Sequence, residues 1–295
     1  MFRFGSGGSR SAAVSLLSRK HPMIHVSDLP LIESPATTVC PALSVQHLSA
    51  GYPGARNAVE EISFDVARGE RVGVLGPNGA GKSTLFKAIV GLIPHTGGQI
   101  SIHGENCRTS HNMVGYVPQH EEIDWSFPVT VRDVVMMGRL RQIGWLRWPR
   151  PRDWQAVDAV LARVGMVNFR DRQIGQLSGG QKRRVFIARA LAQETDILLL
   201  DEPFSGVDAA AEHEIVEMLD LLRGDGVTVL LATHDLSTAR QFDKLLLLKQ
   251  HVIAYGTPEA VFTPETLGRA YGGRIGIFQG TGQTIIIADE HGCPD

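Results

Sequence analysis

Between Leu43 and Leu75 apolar and polar positions alternate in short runs, "LSVQHLSA" and "ISFDVARGERVGVLG", punctuated by Gly and Pro. That two-residue period predicts β-strands leading into a glycine loop. After "GKST" the run "LFKAIVGLI" has helical spacing, and Pro94 with "HTGGQ" is expected to stop it. From Pro128 to Gln193 the period lengthens: "VTVRDVVMMG", "RDWQAVDAVLARVGM" and "GGQKRRVFIARALAQ" place apolar residues three and four apart. This predicts an inserted helical subdomain over about residues 125–193. Further on, "DILLLDEP" and "VTVLLATHD" are continuous apolar runs flanking a helical "AAAEHEIVEMLDLLRG". Uninterrupted apolar strands joined by a helix are the pattern of a buried parallel sheet, so the core is α/β. No repeat of useful period and no sustained heptad run is present.

Composition narrows the picture. The chain has 295 residues, 43% hydrophobic and 20% charged, with a formal net charge of −2. A large core is therefore available, and the basic excess of a nucleic-acid binder is missing. Cys40, Cys107 and Cys293 are widely spaced and odd in number, which supports neither a disulfide framework nor a zinc site and fits a reducing cytoplasm. No apolar run approaches the roughly 18 residues needed to cross a bilayer. Residues 1–40, rich in Ser, Gly and Arg, read as a disordered leader or an over-long gene start, and residues 274–295 as a C-terminal tail.

Three stretches carry chemistry. "GPNGAGKST" matches G-x-x-x-x-G-K-[ST] between an apparent strand and an apparent helix, the context a phosphate-binding loop requires. Gly79 and Gly81 let backbone N–H groups curl around phosphates, Lys82 reaches the β- and γ-phosphates, and the Ser83 hydroxyl can ligate Mg²⁺. In "ILLLDEP" a buried strand delivers two adjacent carboxylates to the sheet edge. Asp201 is placed for the Mg²⁺ shell and Glu202 to orient an attacking water. "LLATHD" ends another buried strand with His234, which on the same edge can sense a γ-phosphate.

Taken together these residues resemble the nucleotide-binding subunit of an ATP-binding cassette (ABC) transporter, over Leu43 to about Gly273. The resemblance implies a P-loop NTPase (RecA-like) core with an antiparallel β subdomain and a helical signature subdomain, the ATP-binding domain spanning 41–273. It maps the Walker A loop onto Gly76, Pro77, Asn78, Gly79, Ala80, Gly81, Lys82, Ser83 and Thr84, and the Walker B strand onto "ILLLDE". Gln119 in "YVPQ" matches the Q-loop, where it also touches the Mg²⁺ shell, and Tyr52 in "AGYPG" the aromatic that stacks on adenine. "LSGGQ", with Ser178, Gly179, Gly180 and Gln181, matches the family signature, and His234 the switch histidine. "SGVD", ending at Asp208, matches the D-loop, although Ala-Leu is commoner in its middle. In that family two subunits pack head to tail, so the signature of one closes over the ATP held by the other. A Ser hydroxyl and bare glycine N–H groups at a helix start suit that approach. The basic run Lys182–Arg184 reads as an exposed helical face.

Between Q-loop and signature, the resemblance places a groove for the coupling helix of a membrane permease, with Trp125 and Phe127 as aromatic anchors. "DWSFPVTVRDVVMMGR" and "DRQIGQLSGGQ" resemble the branch serving manganese, zinc and iron uptake. Implied partners are a second ATP-binding subunit, an integral permease and an extracytoplasmic metal-binding protein, with the chain held peripherally at the cytoplasmic face. No physical feature selects the metal, and His95, His103, His111 and His120 read as solvated rather than as ligands. A soluble ABC ATPase of iron–sulfur cluster assembly shares every motif but has no need of "DWSFP".

Overall fold

The computed structural model describes residues 40–52, 54, 56–106, 113–119, 127–144, 146–272, 275–280 and 283–288. Trp125, His111, His120 and the leader up to residue 39 lie outside the described residues.

Of the strands expected between Leu43 and Leu75, β1 (Leu43–Ala50) and β2 (Val59–Val66) join β4 (His95–Ile102) and β5 (Glu105–Asn106) in an antiparallel sheet ordered β2-β1-β4-β5. β2 alternates buried and outward positions, as a strand covered on one face must. The second sheet has six strands in the order β10-β9-β3-β8-β7-β6. Its members are β3 (Arg71–Leu75), β6 (Val114–Val117), β7 (Ile197–Asp201), β8 (Thr228–Thr233), β9 (Lys244–Lys249) and β10 (His251–Gly256). All neighbours in it run parallel except β9 and β10.

This sheet is a middle layer, which is why its strands are apolar on both faces. In β7, Ile197 and Leu199 face one core together with β1, β2 and helix α1 (Lys82–Ile89), while Leu198 and Leu200 face the other. That second core is built with α2 (Val131–Met137), α4 (Pro151–Arg163), α5 (Gly179–Leu191) and α6 (Ala209–Gly224). Leu199 is fully buried, so Leu199→Ala is expected to cost about 2 to 5 kcal/mol of stability, read from urea unfolding.

Between β6 and β7 the described residues form the helices α2, the short α3 (Leu140–Ile143), α4 and α5, joined by turns and coil. Their starts are chemically marked. Thr130 and Asp133 form a capping box on α2, Pro151 opens α4, and Ser178 with Gln181 caps α5.

Three features differ from the sequence reading. The helix after "GKST" ends at Ile89 rather than running to Ile93, and "HTGGQ" is not a stop but the first part of β4. Gly98 permits this, with φ of 80° and a position where a Cβ would sit 2.3 Å from the His47 carbonyl oxygen of β1. Residues 274–295, read as a tail, contain an antiparallel hairpin, β11 (Ile275–Gly280) and β12 (Gln283–Ala288). It follows two helices, α7 (Pro258–Val261) and α8 (Pro264–Tyr271). His103 is not solvated either: its Nε2 lies 3.0 Å from Asp196 Oδ2 in a mostly covered position, whereas His95 is exposed.

Candidate functional site at the carboxyl edge of the parallel sheet

Register decides what meets at this edge. β3 and β8 end level, Leu75 opposite Thr233, while Asp201 of β7 lies opposite Ala232 and Val117 of β6 opposite Leu200. The chain therefore leaves four parallel strands at one edge, carrying the loop at Gly76, Gln119, Glu202 and His234 with it.

The Gly76–Thr84 loop wraps its own lysine. Lys82, 5% exposed, donates from Nζ to the carbonyl oxygens of Gly76 (2.7 Å) and Pro77 (3.3 Å). Gly81 opens α1 with φ of 98°, and a Cβ there would lie 2.5 Å from Val59 Cγ1 and 2.7 Å from the Ala58 carbonyl oxygen. Only glycine fits that turn, and the helix start behind it carries a partial positive charge that favours an anion. Ala58 donates to the Ala50 carbonyl (2.9 Å), closing the loop that carries Tyr52 beside Gly81. Tyr52 stands 48% exposed on that loop, available to a flat ligand.

Glu202 is the hub. Its Oε2 accepts from Gln119 Nε2 (3.0 Å), while Oε1 lies 3.5 Å from His234 Nδ1 and 3.9 Å from Lys82 Nζ. Its backbone has φ of 46°, a left-handed conformation uncommon outside glycine. Asp201 beside it is 2% exposed. Burial pushes its carboxyl up, opposed by hydrogen bonds from Ser83 and Tyr116 and by the Lys82 charge. Tyr116 Oη donates to Asp201 Oδ2 (3.2 Å), while Oδ1 is buried and, among the described residues, has no hydrogen-bond partner. A buried carboxylate oxygen left open next to a serine hydroxyl is the donor set a hard divalent cation takes, so Ser83 and Asp201 fit Mg²⁺.

Ser178–Gln181 do not join this group through the contacts seen. Ser178 N–H donates to Gln181 Oε1 (3.1 Å) and Gln181 N–H to Ser178 Oγ (3.3 Å). Gly180 packs where a Cβ would lie 2.5 Å from Ala211 Cβ, and Gly179 faces Gly206 and Val207. The signature thus lies against the turn after β7 and the start of α6. There Asp208 caps α6 by accepting from Ala211 N–H (2.8 Å).

Two residues of the site escaped the sequence reading. Tyr116 carried no signal. Arg183 was expected on an exposed face, but it is 1% exposed and donates to the carbonyls of Pro118 (Nη1, 3.1 Å) and Glu202 (Nη2, 3.0 Å). Burial lowers its guanidinium pKa to about 10, against the pull of Asp201 and Glu202. The signal was available in α5: Gly180, Arg183, Ile187 and Ala190 share one helical face, and all are buried. Arg184 does not project freely either, since it pairs with Glu214 (2.7 Å).

Comparison with known proteins matches this architecture. Residues 59–205 match the family model described as ABC transporter. The chain is 50% identical over 218 residues to the manganese transport system ATP-binding protein MntB of Bacillus subtilis, covering 74% of this chain and 87% of that protein. It is 46% identical over 235 residues to the zinc transport system ATP-binding protein TroB of Treponema pallidum, covering 79% and 88%. Among solved structures, cbiO1 of Clostridium perfringens, part of the ABC transporter complex cbiONQ, superposes with a TM-score of 0.66 at 30% identity, over 78% of this chain and 93% of that one. With the strand-end constellation and these similarities together, the chain belongs to the ABC transporter family as an ATP-binding subunit.

Proposed function

We propose that this chain binds ATP with Mg²⁺ and hydrolyses it to drive import of a transition-metal ion, manganese or zinc, through a separate membrane permease. The observation that carries the hydrolytic part is the Glu202 carboxylate, held by Gln119 and facing Lys82 and His234. In this reading Tyr52 stacks on the adenine, the backbone of Gly76–Thr84 cradles the phosphates, and Lys82 turns from its loop carbonyls to the β- and γ-phosphates. Ser83, Asp201 and Gln119 would hold Mg²⁺, which when bound would offset the charge on the phosphate oxygens. Glu202 and Gln119 orient a water on the γ-phosphate, and His234 contacts that phosphate. Phosphoryl transfer asks chiefly for such positioning and charge stabilisation.

The signature of a second copy, Ser178–Gln181, completes the site across a head-to-tail dimer whose contact also uses Asp208. The start of α5 at Ser178 supports this, because a helix N-terminus carries a partial positive charge that favours an anion. Among the described residues no helix is long and apolar enough to cross a membrane. In this reading the permease holds the chain at the cytoplasmic face. An extracytoplasmic metal-binding protein would deliver the ion. The metal assignment rests on similarity to MntB and TroB.

Coupling has a visible lever. Phe127, 63% exposed, precedes a stretch tied by backbone hydrogen bonds to the approach of the signature: Val131 to Arg172 (2.9 Å), Arg132 to Arg170 (2.9 Å) and Ile174 to Val129 (3.0 Å). A permease helix resting on Phe127 would feel any shift of the signature helix. Phe127→Ser is expected to leave ATP hydrolysis by the isolated subunit within about twofold, while metal uptake falls about tenfold or more, the scale of losing one aromatic anchor. Deleting the gene and measuring cellular manganese, zinc and iron under limitation tests the substrate. Unchanged uptake of all three would overturn the metal reading.

A further inference from the structure

We propose that Arg183 is a positioning residue of the hydrolytic site, holding the peptides beside Gln119 and Glu202 so that their side chains meet over the γ-phosphate. The inference rests on the reading of Glu202 as the residue that orients water. Glu202 is poorly suited to its own backbone. A residue before proline prefers extended geometry, yet Glu202 precedes Pro203 with φ of 46°. Such a conformation persists only where its surroundings over-determine it. Three hydrogen bonds do so here: Glu202 N–H to the Ala232 carbonyl (3.0 Å), and to the Glu202 carbonyl from Ser205 N–H (3.2 Å) and Arg183 Nη2 (3.0 Å).

The Ser205 and Ala232 contacts are backbone and available to any sequence, so Arg183 is the side-chain element. Its other terminal nitrogen, Nη1, holds the carbonyl of Pro118, the peptide immediately before Gln119. The guanidinium thereby closes a ring from Arg183 to Pro118, through Gln119 to the Glu202 carboxylate, and back through the Glu202 carbonyl. A planar fork spans two carbonyls at fixed separation, which lysine or glutamine does only in part. Among the described residues the guanidinium has no carboxylate within hydrogen-bond distance, and its terminal nitrogens serve backbone carbonyls instead. Because Arg183 lies one turn into α5, any displacement of Ser178–Gly180 at its start is transmitted to Glu202 and Gln119 of the same chain.

The test uses the full chain and separates chemistry from binding. Arg183→Met keeps the volume and removes every donor. Its kcat for ATP hydrolysis should fall about tenfold or more while the Kd for ATP stays within about threefold, the split expected when only transition-state geometry is lost. Arg183→Gln, with one donor, should be intermediate. The Met variant should also accumulate an ATP-bound dimer, as a chain blocked after binding does. Parental kcat in a folded Arg183→Met chain, or a parallel loss of ATP affinity, would overturn the proposal. If that variant does not fold, Arg183→Gln decides: kcat below about a third of the parent with unchanged Kd supports it, and parental kcat overturns it. A parent chain that binds no ATP overturns the underlying reading and this inference with it.

Discussion

Glu202→Gln is expected to lower ATP turnover by about a hundredfold or more while leaving ATP affinity unchanged or improved, the range that loss of a positioned catalytic base produces. The amide keeps the shape of the side chain, so the contact with Gln119 Nε2 and the neighbourhood of His234 survive. What disappears is the negative charge, 3.9 Å from Lys82 Nζ. A water between Glu202 and the γ-phosphate then has no carboxylate to orient it or accept its proton. Repulsion between that carboxylate and the phosphates is removed at the same time, so binding has no reason to weaken. The chain should therefore accumulate as an ATP-bound dimer, visible by size-exclusion chromatography with ATP and Mg²⁺ and absent without them. Near-parental turnover would remove Glu202 from its assigned role.

Lys82→Ala should act on binding itself. The ammonium is buried in the phosphate loop and held by the Gly76 and Pro77 carbonyls, which shows the loop already shaped around a positive charge. Removing it forfeits a charge-assisted contact to the phosphates worth about 1.5 to 3 kcal/mol, a rise in Kd of about 10- to 150-fold by isothermal titration. Combined with Ser178→Arg, the same variant tests whether each ATP lies between two chains. In a mixed dimer of a Lys82→Ala chain with a Ser178→Arg chain, one site has both lesions and the other has neither. One ATP bound per mixed dimer is the expected result. Equal loss at both sites would place each ATP within a single chain.

Much of the site was legible because its chemistry is local. A phosphate loop needs glycines at fixed offsets from a lysine and a hydroxyl, so "GPNGAGKST" states its own use, and the structure places Gly81 where a side chain would strike Val59 and Ala58. Buried strands read as such because a middle layer demands apolar residues on both faces, as Ile197–Leu200 supply. Strand ends also located Glu202 and His234. Arg183 carries conflicting signals: its type indicates solvent, while its spacing from Gly180 and Ile187 indicates the interior.

The residue order alone determined the class of fold, the phosphate loop, the carboxylate pair and the family resemblance, each built from short motifs in which spacing and chemical type suffice. Tertiary structure decided the rest. It set the strand register that brings Asp201 opposite Ala232 and Leu75 opposite Thr233, and hence the meeting of Glu202 with Gln119, 83 residues away, and with Lys82. It converted "HTGGQ" from a stop into a strand by pairing it with β1, and paired Ile275–Gly280 with Gln283–Ala288 where the sequence reads as a tail. It also buried Arg183 against two carbonyls. These are pairings between distant segments, fixed by hydrogen-bond register and by the shape of the space left between packed layers, and no local window of sequence contains the partner.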